Sequence, residues 1–492
     1  MKDLYEKTLE ISNEINKQYK LIELWECDFK KDKEIKKFEK NWNREVITLL
    51  NPRDAFYGGR TNATKLRVTC RKSHKIKYID VCSLYPTVQF YDNYPIDHPI
   101  KLYNVNYYDK NWYGFIKCKV LAPRNLYHPV LPLRINTGKS EKLLFPLCFT
   151  CAKNKIQKCN HSNNEREFIG TWTTDEVNKA IEKGYHIEKI YEVWHFENKS
   201  NELFKDYVKD FMKIKLETSP WKNDFTTIDE YIDTIKERLD ITLEKDKIKD
   251  NPGKRSVAKI CLNTLWGKFG QRQNMSQTEY VTDIKRFYEI LLDDRLDNIN
   301  LNFINEDMVQ MSYCFKDQYV ENDNNTNVFI AAFTTSSARL RLYKMLDYLG
   351  DKVAYYDTDS IVYIDDGTKE VKTGCLLGDW TDELGGNHII DWVSTGPKSY
   401  DYIDNNLKEV CKIKGFYLNY ENSQLINFKL MDKMVKKECK GVTIIDENKI
   451  TRDSKTKNIV NKYQEKFFSF DYDKRVINKI NNEHIDTLPY GY

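Results

Sequence analysis

Two aspartates separated by one residue stand at the centre of the segment Asp357-Thr358-Asp359-Ser360. The residues on either side, 353–356 and 361–363, are mostly apolar or aromatic, which is typical of two strands joined by a tight turn. Such a β-hairpin presents both carboxylates at its turn, where they can hold a divalent cation such as Mg²⁺. An Asp-x-Asp alone is also common in solvent-exposed acidic turns, so the motif needs companions before it predicts a site.

Two further segments supply those companions. Residues 80–87 read Asp-Val-Cys-Ser-Leu-Tyr-Pro-Thr and follow a strand-like stretch at residues 77–79. Residues 259–267 read Lys-Ile-Cys-Leu-Asn-Thr-Leu-Trp-Gly and have helical character. Residues four apart lie on one helix face, so Arg255, Lys259 and Asn263 form a basic and polar face. We expect Asp80, at a strand end, and the aspartates of the hairpin to converge on one metal site.

The three segments, in this order, resemble the polymerase motifs of family B DNA polymerases. The resemblance covers about residues 50–440 and is closest to the protein-primed subgroup of Maverick/Polinton transposons, adenovirus-like viruses and linear plasmids. It implies an α+β fold laid out as a right hand, with an antiparallel palm sheet, helical fingers and a mixed thumb. It also implies a DNA-directed DNA polymerase that adds dNMP from a dNTP to a primer 3′-hydroxyl or to a terminal-protein hydroxyl, by two-metal-ion nucleotidyl transfer.

The resemblance assigns the carboxylates to metal binding. Asp80 and Asp357 match the expected ligands of two Mg²⁺ ions, and Asp359 occupies the third acidic position with less direct partners. On the nucleotide side, backbone N–H groups near Ser83 and Leu84 can face the triphosphate. Tyr85 would lie under the sugar and exclude a 2′-hydroxyl, which selects dNTP over rNTP. The helix face at residues 255–263 would meet phosphates and the nascent base pair.

Other matches predict contacts with primer-template DNA. Phe56-x-Gly58-Gly59 resembles the Tyr-x-Gly-Gly element of protein-primed members. Lys398-x-Tyr400 resembles the Lys-x-Tyr element that holds the primer terminus, in which Lys supplies charge and Tyr a stacking or hydrogen-bonding surface. A structural glycine turn and a solvated charged face are the alternatives that require no DNA. The predicted DNA-contacting residues are Phe56, Gly58, Gly59, Arg60, Thr264, Gly267, Lys398, Tyr400, Lys412 and Lys414.

A cysteine cluster predicts a second metal. Cys148-x-x-Cys151 and Cys159-x-His161 are separated by seven residues and supply four ligands of the kinds that Zn²⁺ prefers. With all four positions filled by protein, such a zinc ion would be structural. The alternative is a group of reduced thiols packed inside an insertion.

The resemblance also divides the chain. The expected parts are 1–50, a connector or exonuclease remnant; 51–100, palm with the first carboxylate motif; 101–200, an insertion with the zinc knuckle; 201–270, fingers; 271–328, a second insertion; 329–395, palm with the hairpin; and 396–492, thumb and tail. Because the first 55 residues lack the expected exonuclease carboxylate motif, we expect no proofreading. The chain would then be a truncated product, a fragment or part of a split protein.

Composition excludes some classes of protein. The 492 residues carry 78 Lys and Arg against 74 Asp and Glu, so a net charge of +4 requires any DNA surface to be a local cluster. No apolar run reaches the roughly 18 residues of a membrane span. We expect an intracellular protein, nuclear or cytoplasmic, with no membrane partner. The Thr between the two aspartates argues against a reverse transcriptase, whereas an inactive DNA-binding relic of a mobile element or viral polymerase stays as the alternative.

Overall fold

The computed structural model describes residues 29, 31–36, 48–70, 74–136, 141–219, 225–321, 325–453, 458–479, 481 and 483–492. The chain separates into two units, Met1–Leu49 and Leu50–Tyr492. The described part of the first unit contains a helical stretch at 33–36. The predicted connector or exonuclease remnant at 1–50 therefore lies mostly outside the described residues.

The second unit is a mixture of helices and antiparallel sheets. In chain order its strands are β1 (Thr61–Ala63), β2 (Lys65–Thr69), β3 (Lys75–Val81), β4 (Tyr94–Ile96), β5 (Ile100–Tyr103), β6 (Gly114–Leu121), β7 (Leu133–Asn136), β8 (Glu141–Leu144), β9 (Phe168–Thr173), β10 (His186–His195), β11 (Asn198–Ser200), β12 (Gln277–Val281), β13 (Leu296–Phe303), β14 (Val309–Phe315), β15 (Val353–Asp357), β16 (Ser360–Asp365), β17 (Trp380–Asp382), β18 (Ile389–Gly396), β19 (Ser399–Asp404), β20 (Glu409–Ile413), β21 (Gly441–Arg452), β22 (Ile459–Ser469), β23 (Val476–Lys479) and β24 (Ile485–Leu488). The helices are α1 (Leu84–Tyr91), α2 (Phe149–Asn154), α3 (Asn163–Arg166), α4 (Thr174–Glu182), α5 (Lys205–Glu217), α6 (Ile228–Leu239), α7 (Pro252–Phe269), α8 (Ile284–Leu291), α9 (Val328–Leu349), α10 (Tyr420–Leu425) and α11 (Phe428–Val435).

One main sheet of 11 strands carries the acidic motifs. Its order is β1-β15-β16-β3-β18-β2-β24-β23, with β17 also paired to β3, and with β19 and β20 continuing from β18. The central hairpin β15–β16 is buried on both faces: one face shares an apolar core with α9, and the other belongs to the larger core that also contains residues of α11. Double burial explains why its sequence is an almost continuous apolar run rather than an alternating one.

Smaller sheets lie in the two segments expected to be insertions. Between residues 100 and 195, β5-β10-β6-β9 form a four-stranded sheet, and between 277 and 315, β12-β14-β13 form a three-stranded one. A long hairpin, β21–β22, forms a sheet of its own near the end of the chain. Each of the three has its own strand pairing, so these segments are additions to the main sheet rather than parts of it.

Helices make up most of the described part of the segment 201–270, where the sequence predicts helical fingers. α5 and α7 pack together, and α6 contributes Tyr231, Ile235 and Leu239 to the same apolar core. α7 begins directly after Asn251, whose side chain accepts a hydrogen bond from the N–H of Lys254, with Pro252 as the first helical residue. That start follows from the preference for Asn at the N-cap and Pro at the first position.

The predicted boundary at residue 396 falls inside a hairpin. β18 pairs with β19 across the turn at residues 397–398, and β24 pairs with β2. The segment 396–492 therefore contributes β19, β20, β23 and β24 to the main sheet, in addition to the long hairpin. Among the residues that the structure describes, no helix combines the length and the apolar character needed to cross a membrane.

Candidate active site

The predicted Asp-x-Asp hairpin is present, and strand pairing places it beside Asp80. Asp357 pairs with Ser360 across the turn, and Ser360 pairs with Asp80 on β3. Thr358 adopts a left-handed conformation, with φ of 59°, which lets the chain reverse within two residues. The N–H of Val81 donates to the carbonyl of Asp359 at 2.7 Å, which fixes the turn against the end of β3.

A cavity of about 490 Å³ opens at this end of the sheet. Its walls are formed by Asp80, Val81, Cys82, Ser83, Leu84, Tyr85, Lys215, Arg255, Lys259, Asn263, Trp266, Asp359, Thr381 and Glu383. Three carboxylates from the main sheet side thus share the cavity with three basic side chains from α5 and α7. This arrangement suits a ligand that carries both a phosphate group and metal ions.

Burial, together with neighbouring carboxylates, raises the pKa values of Asp80 and Asp359. Burial, followed by the charges of Asp359 and Glu383, raises the pKa of Asp80 to about 7, against the opposing effect of Lys259. Burial and the charge of Asp357 raise the pKa of Asp359 to about 6. Each carboxylate is therefore costly to ionise until a cation neutralises it, which is typical of a divalent-metal site.

Asp357 has a different environment from the other two aspartates. Its carboxylate accepts hydrogen bonds from Thr61 Oγ1 at 2.6 Å and from Lys398 Nζ at 3.0 and 3.1 Å. The sequence predicted Asp80 and Asp357 as the metal pair with Asp359 in the third place. The structure places Asp80 and Asp359 together in the cavity walls and pairs Asp357 with Lys398, and which of the three aspartates hold the metal stays a prediction.

The segment after Asp80 forms the start of α1. Ser83 occupies the N-cap position with φ of 60°, and its hydroxyl accepts a hydrogen bond from Lys215 Nζ at 2.6 Å. Leu84 lines the cavity as well, although the residue is almost fully buried in the core. N–H groups in the first turn of a helix have no partner within the helix, which makes this end suited to an anionic ligand.

Three aromatic rings pack together beside the cavity. The rings of Tyr85 and Trp266 have centroids 4.6 Å apart, and Phe56 meets Trp266 edge-on at 6.1 Å. Phe56 also lies against Gly270, where a Cβ would come within 2.6 Å of its ring. The position of Tyr85 therefore depends on α7 and on the segment before β1. Phe56, predicted to contact DNA, is half-buried in this stack.

The basic and polar face of α7 is only partly as predicted. Arg255, Lys259 and Asn263 line the cavity together, and Arg255 Nε also donates to Ser219 Oγ at 2.9 Å. Thr264 is exposed and its hydroxyl donates to the carbonyl of Ile260 at 2.8 Å. Gly267 is exposed, and a Cβ there would meet no atom within 4 Å. Neither residue is part of the cavity wall, so their predicted DNA contacts stay predictions.

The adjacent glycines Gly58 and Gly59 differ in how much space surrounds them. A Cβ at Gly59 would lie 2.6 Å from Thr358 Oγ1, a separation that real Cβ atoms do not reach, whereas a Cβ at Gly58 would meet nothing within 4 Å. The N–H of Thr358 donates to the carbonyl of Arg60 at 2.9 Å. Gly59 is thus required for the close approach between this segment and the Asp-x-Asp turn.

Arg60 does not face solvent, contrary to its predicted role as a phosphate contact. Its side chain is only 2% exposed, and its guanidinium lies over the rings of Phe145, Tyr343 and Tyr356. Arg60 Nη1 donates to the carbonyl of Pro129 at 2.6 Å. The side chain packs the insertion onto the main sheet, and we remove it from the DNA surface.

The Lys-x-Tyr element lies at the same edge of the sheet as Asp357. Lys398 is exposed at its amine, whereas the ring of Tyr400 is only 4% exposed and its hydroxyl lies 3.2 Å from that of Tyr78. Burial of Tyr400 corrects the prediction that its ring offers a free stacking surface. Lys412 and Lys414 are exposed beside it, as a phosphate-contacting role requires.

Lys215, Glu383 and Thr381 were not singled out in the sequence, although all three line the cavity. Lys215 is one basic residue among 78 and has no local motif around it. Thr381 is placed by pairing with Asp80 across β17 and β3, and the N–H of Glu383 donates to the carbonyl of Tyr78. These pairings join segments 300 residues apart, so no local pattern predicts them.

The four predicted zinc ligands also come together. One donor atom from each of Cys148, Cys151, Cys159 and His161 lies within 4.8 Å of the other three. The cluster belongs to the insertion between residues 101 and 200.

Comparison with known proteins identifies the family. Residues 28–228 and 220–351 match the family "DNA polymerase type B, organellar and viral", and the chain belongs to this family.

Relatives of known name include three fungal proteins. A "Probable DNA polymerase" of Neurospora intermedia is 24% identical over 73% of this chain and 32% of its own length. Another of Agaricus bitorquis is 22% identical over 73% of this chain and 42% of its own length. A "DNA polymerase" of Kluyveromyces lactis is 26% identical over 45% of this chain and 17% of its own length. The chain thus spans less than half the length of each of these relatives.

Solved structures of Phi29 DNA polymerase share the fold. The complex with primer-template DNA aligns with a TM-score of 0.53 and 15% identity, over 85% of this chain and 62% of that one. The ternary complex with incoming nucleotide substrates aligns with a TM-score of 0.52 and 15% identity, over 89% and 66%. At this identity the likeness concerns the fold alone.

Proposed function

We propose that this chain carries the synthetic site of a template-directed DNA polymerase, which adds dNMP from a dNTP to a primer 3′-hydroxyl. The observation that carries the proposal is the shared cavity of Asp80 and Asp359 with Lys215, Arg255 and Lys259. The two carboxylates have raised pKa values and face three basic side chains across a space large enough for a nucleotide. Metal-assisted nucleotidyl transfer requires such an arrangement.

Asp80 and Asp359 are the residues that would hold Mg²⁺. Their pKa values are raised and both side chains line one cavity, as expected of two carboxylates that bind divalent cations through oxygen. When bound, such cations supply charge stabilisation for the attacking and leaving oxygens. Asp357 then acts as a positioning residue, because it holds Lys398 at the edge of the site.

The surrounding side chains bind and orient the nucleotide. Lys259 and Arg255 neutralise the phosphates from the α7 side, and the N–H groups of Ser83 and Leu84 at the start of α1 face them from the other side. Tyr85, held by Trp266, forms a flat wall for the sugar and leaves no room for a 2′-hydroxyl. Selection of dNTP over rNTP then follows from packing rather than from a hydrogen bond.

DNA would lie between the main sheet on one side and, on the other, the three-stranded sheet β12–β14 and the hairpin β21–β22. Lys398, Lys412 and Lys414 offer exposed amines along one edge, suited to sequence-independent phosphate contacts. The long hairpin β21–β22 contacts the three-stranded sheet, since Arg452 donates to the hydroxyl of Tyr280 at 2.8 Å. We propose a palm formed by the main sheet, fingers formed by α5–α7, and a thumb that includes α10, α11 and this hairpin.

Primer extension with purified protein tests the proposal. We expect Mg²⁺-dependent extension by the parent chain and a loss of at least about a thousandfold in Asp80→Asn and Asp359→Asn, because each removes a metal-holding charge. Asp307→Asn, in the exposed turn between β13 and β14, is the matched control and keeps parental activity.

The alternative, an inactive DNA-binding relic, predicts no extension while DNA is still bound in a gel-shift assay. Extension that survives Asp359→Asn would contradict the proposed site.

Priming by a terminal protein, membership of the protein-primed subgroup and absence of proofreading stay predictions. The last is tested by release of dNMP from a labelled primer in the absence of dNTPs.

A further inference from the structure

The cysteine cluster lies outside the proposed polymerase site and has the geometry of a metal centre. His161 Nδ1 lies 3.5 Å from Cys148 Sγ, 3.2 Å from Cys151 Sγ and 3.8 Å from Cys159 Sγ. For tetrahedral zinc with ordinary Zn–S and Zn–N bonds, this separation is about 3.6 Å. The observed distances bracket that value, so one zinc ion fits among the four atoms.

Local backbone structure supports the cluster from both halves. Cys148 is the N-cap of α2, and its Sγ accepts a hydrogen bond from the N–H of Cys151 at 3.4 Å. Thr150 Oγ1 donates to the carbonyl of Glu165 on α3 at 2.6 Å, which joins the two halves. Three sulfurs and one imidazole favour zinc over magnesium or calcium, because those ions prefer oxygen ligands.

Arg124 lies beside the two less buried ligands. Its Nη2 donates to the carbonyl of His161 at 3.0 Å, and its Nη1 lies 3.8 Å from Cys159 Sγ. A positive charge next to a zinc-bound thiolate offsets the negative charge that three thiolates create and holds the outer half of the site in place.

The end of the chain is packed directly against a ligand. The N–H of Leu147 donates to the carbonyl of Tyr490 at 2.7 Å, next to Cys148. Gly491 has φ of 93°, and a Cβ there would lie 2.5 Å from the Cβ of Cys148. The Tyr490 hydroxyl also donates to the carbonyl of Asp473, whose carboxylate pairs with Lys155 at 2.9 Å, just after α2.

The same terminal segment belongs to the main sheet. β24 pairs with β2 and with β23, and Lys65 on β2 forms an ion pair with Asp486 at 3.0 Å. β2 directly follows β1, whose Thr61 donates to Asp357. A continuous path therefore runs from the cysteine cluster through residues 485–492 to the sheet that carries the acidic site.

We propose that Cys148, Cys151, Cys159 and His161 bind one Zn²⁺, and that this ion fastens the last residues of the chain, and with them β24, to the insertion at 101–200. Because all four ligands lie within residues 148–161, the zinc acts on residues 485–492 indirectly, by holding Leu147 and Cys148 in the place where those residues pack. It takes no part in nucleotidyl transfer, so the proposal is independent of the polymerase activity.

Zinc content and hydrogen exchange test the two halves of the proposal. Untagged protein purified with a phosphine reductant and no added metal is expected to contain about one zinc per chain by mass spectrometry. Cys151→Ser and Cys159→Ser lose the zinc, whereas Cys314→Ser, a half-buried cysteine in the three-stranded sheet, keeps it. Absence of zinc, or equal zinc in all four proteins, overturns the site.

Because a ligand variant can fail to fold, the parent protein supplies the second measurement. A zinc-selective chelator, used in excess Mg²⁺, is expected to speed hydrogen exchange at 485–492 at least about tenfold, with reversal on adding Zn²⁺. Exchange in β13–β14 stays unchanged and serves as the internal reference. Zinc removal without faster exchange at 485–492 overturns the proposed support of these residues by the metal site.

Gly491→Ala separates the terminal contact from the ligands themselves. The new Cβ collides with Cys148, so this variant is expected to expose 485–492 and to release zinc faster to a chromogenic chelator. Gly367→Ala is the matched control, because Gly367 has a similar φ of 79° but open space around it. Equal zinc release by both variants contradicts coupling between the terminus and the metal.

Discussion

The ammonium group of Lys398 lies 3.0 and 3.1 Å from the two carboxylate oxygens of Asp357, at the edge of the cavity that Asp80 and Asp359 share. This pair affects the neighbouring Asp359, whose pKa is raised by burial and by Asp357 and lowered by Lys398. Lys398 thereby keeps a proposed metal-holding carboxylate ionised to a lower pH than it would be alone.

Removing that charge is expected to move the pH dependence of primer extension. In Lys398→Gln the pKa of Asp359 rises further above about 6, so its ionised form is lost at a higher pH as the solution is acidified. The acidic limb of the pH–rate profile therefore shifts to higher pH, while the rate on its plateau changes less. Lys414→Gln is the control, since that amine is exposed at the same edge and lies outside the pair; an equal shift in both variants contradicts the prediction.

Gly59→Ala is expected to disrupt the acidic turn, because the added Cβ would lie 2.6 Å from Thr358 Oγ1. Overpacking of this kind costs about 1–3 kcal/mol of folding free energy, and a turn that shifts to relieve it moves Asp359 relative to Asp80, so we expect a loss of roughly tenfold to a hundredfold in primer-extension rate. Gly58→Ala has open space and stays close to the parent. Adding Thr358→Gly removes all the atoms that collide and suits the φ of 59°, so the double variant regains activity; failure to regain any would point to another cause.

Trp266 positions Tyr85, the residue proposed to contact the sugar of the nucleotide. In Trp266→Ala the ring of Tyr85 loses its partner at 4.6 Å, and an aromatic pair is worth about 0.5–1.5 kcal/mol. Discrimination against rNTP is therefore expected to fall up to about tenfold, measured as the ratio of kcat/KM for dCTP and CTP. Trp266→Tyr keeps a ring and keeps most of the discrimination. Unchanged discrimination in Trp266→Ala would exclude the stack as the determinant.

Local patterns predicted some parts of this site better than others. The hairpin and the helix face at 255–263 follow from apolar runs and from the four-residue period, so the sequence predicts both. Which aspartate shares the cavity with Asp80 depends on the turn: Asp357 ends β15 beside β1, whereas Asp359 lies on the side of β3. Only the order of strands in the sheet decides this, and that order joins segments far apart in the chain.

The burial of two polar side chains, Arg60 and Tyr400, could not be predicted from the sequence either. Arg60 follows two glycines and looks like a phosphate contact, yet rings from three distant segments enclose its guanidinium. Tyr400 is similarly enclosed, with Tyr355 and Trp392 against its ring. In both cases the side chain type fits two environments, and the tertiary packing selects one of them.

The raised pKa of Asp80 makes this carboxylate a cost to folding when no metal is present. Its pKa is about 7 in the folded protein against an ordinary value of 3.8. Between these values the folded protein keeps a proton that the unfolded chain has released, so stability falls as pH rises from about 4 to above 7. Asp80→Asn removes this cost, and without divalent metal it is expected to raise the free energy of unfolding near pH 8 by at least about 1 kcal/mol, after allowance for partial exposure.

The same variant must behave differently at other pH values and with metal. Near pH 4 the Asp80 carboxyl is protonated in the folded protein, so parent and Asp80→Asn should unfold at the same denaturant concentration. Added Mg²⁺ should stabilise the parent at about pH 8 and leave the variant unchanged, because binding to the folded state alone shifts unfolding by mass action. Denaturant titrations at both pH values measure this, with Asp307→Asn as the control. A variant that is less stable than the parent at about pH 8 would mean that Asp80 serves the fold rather than a metal site.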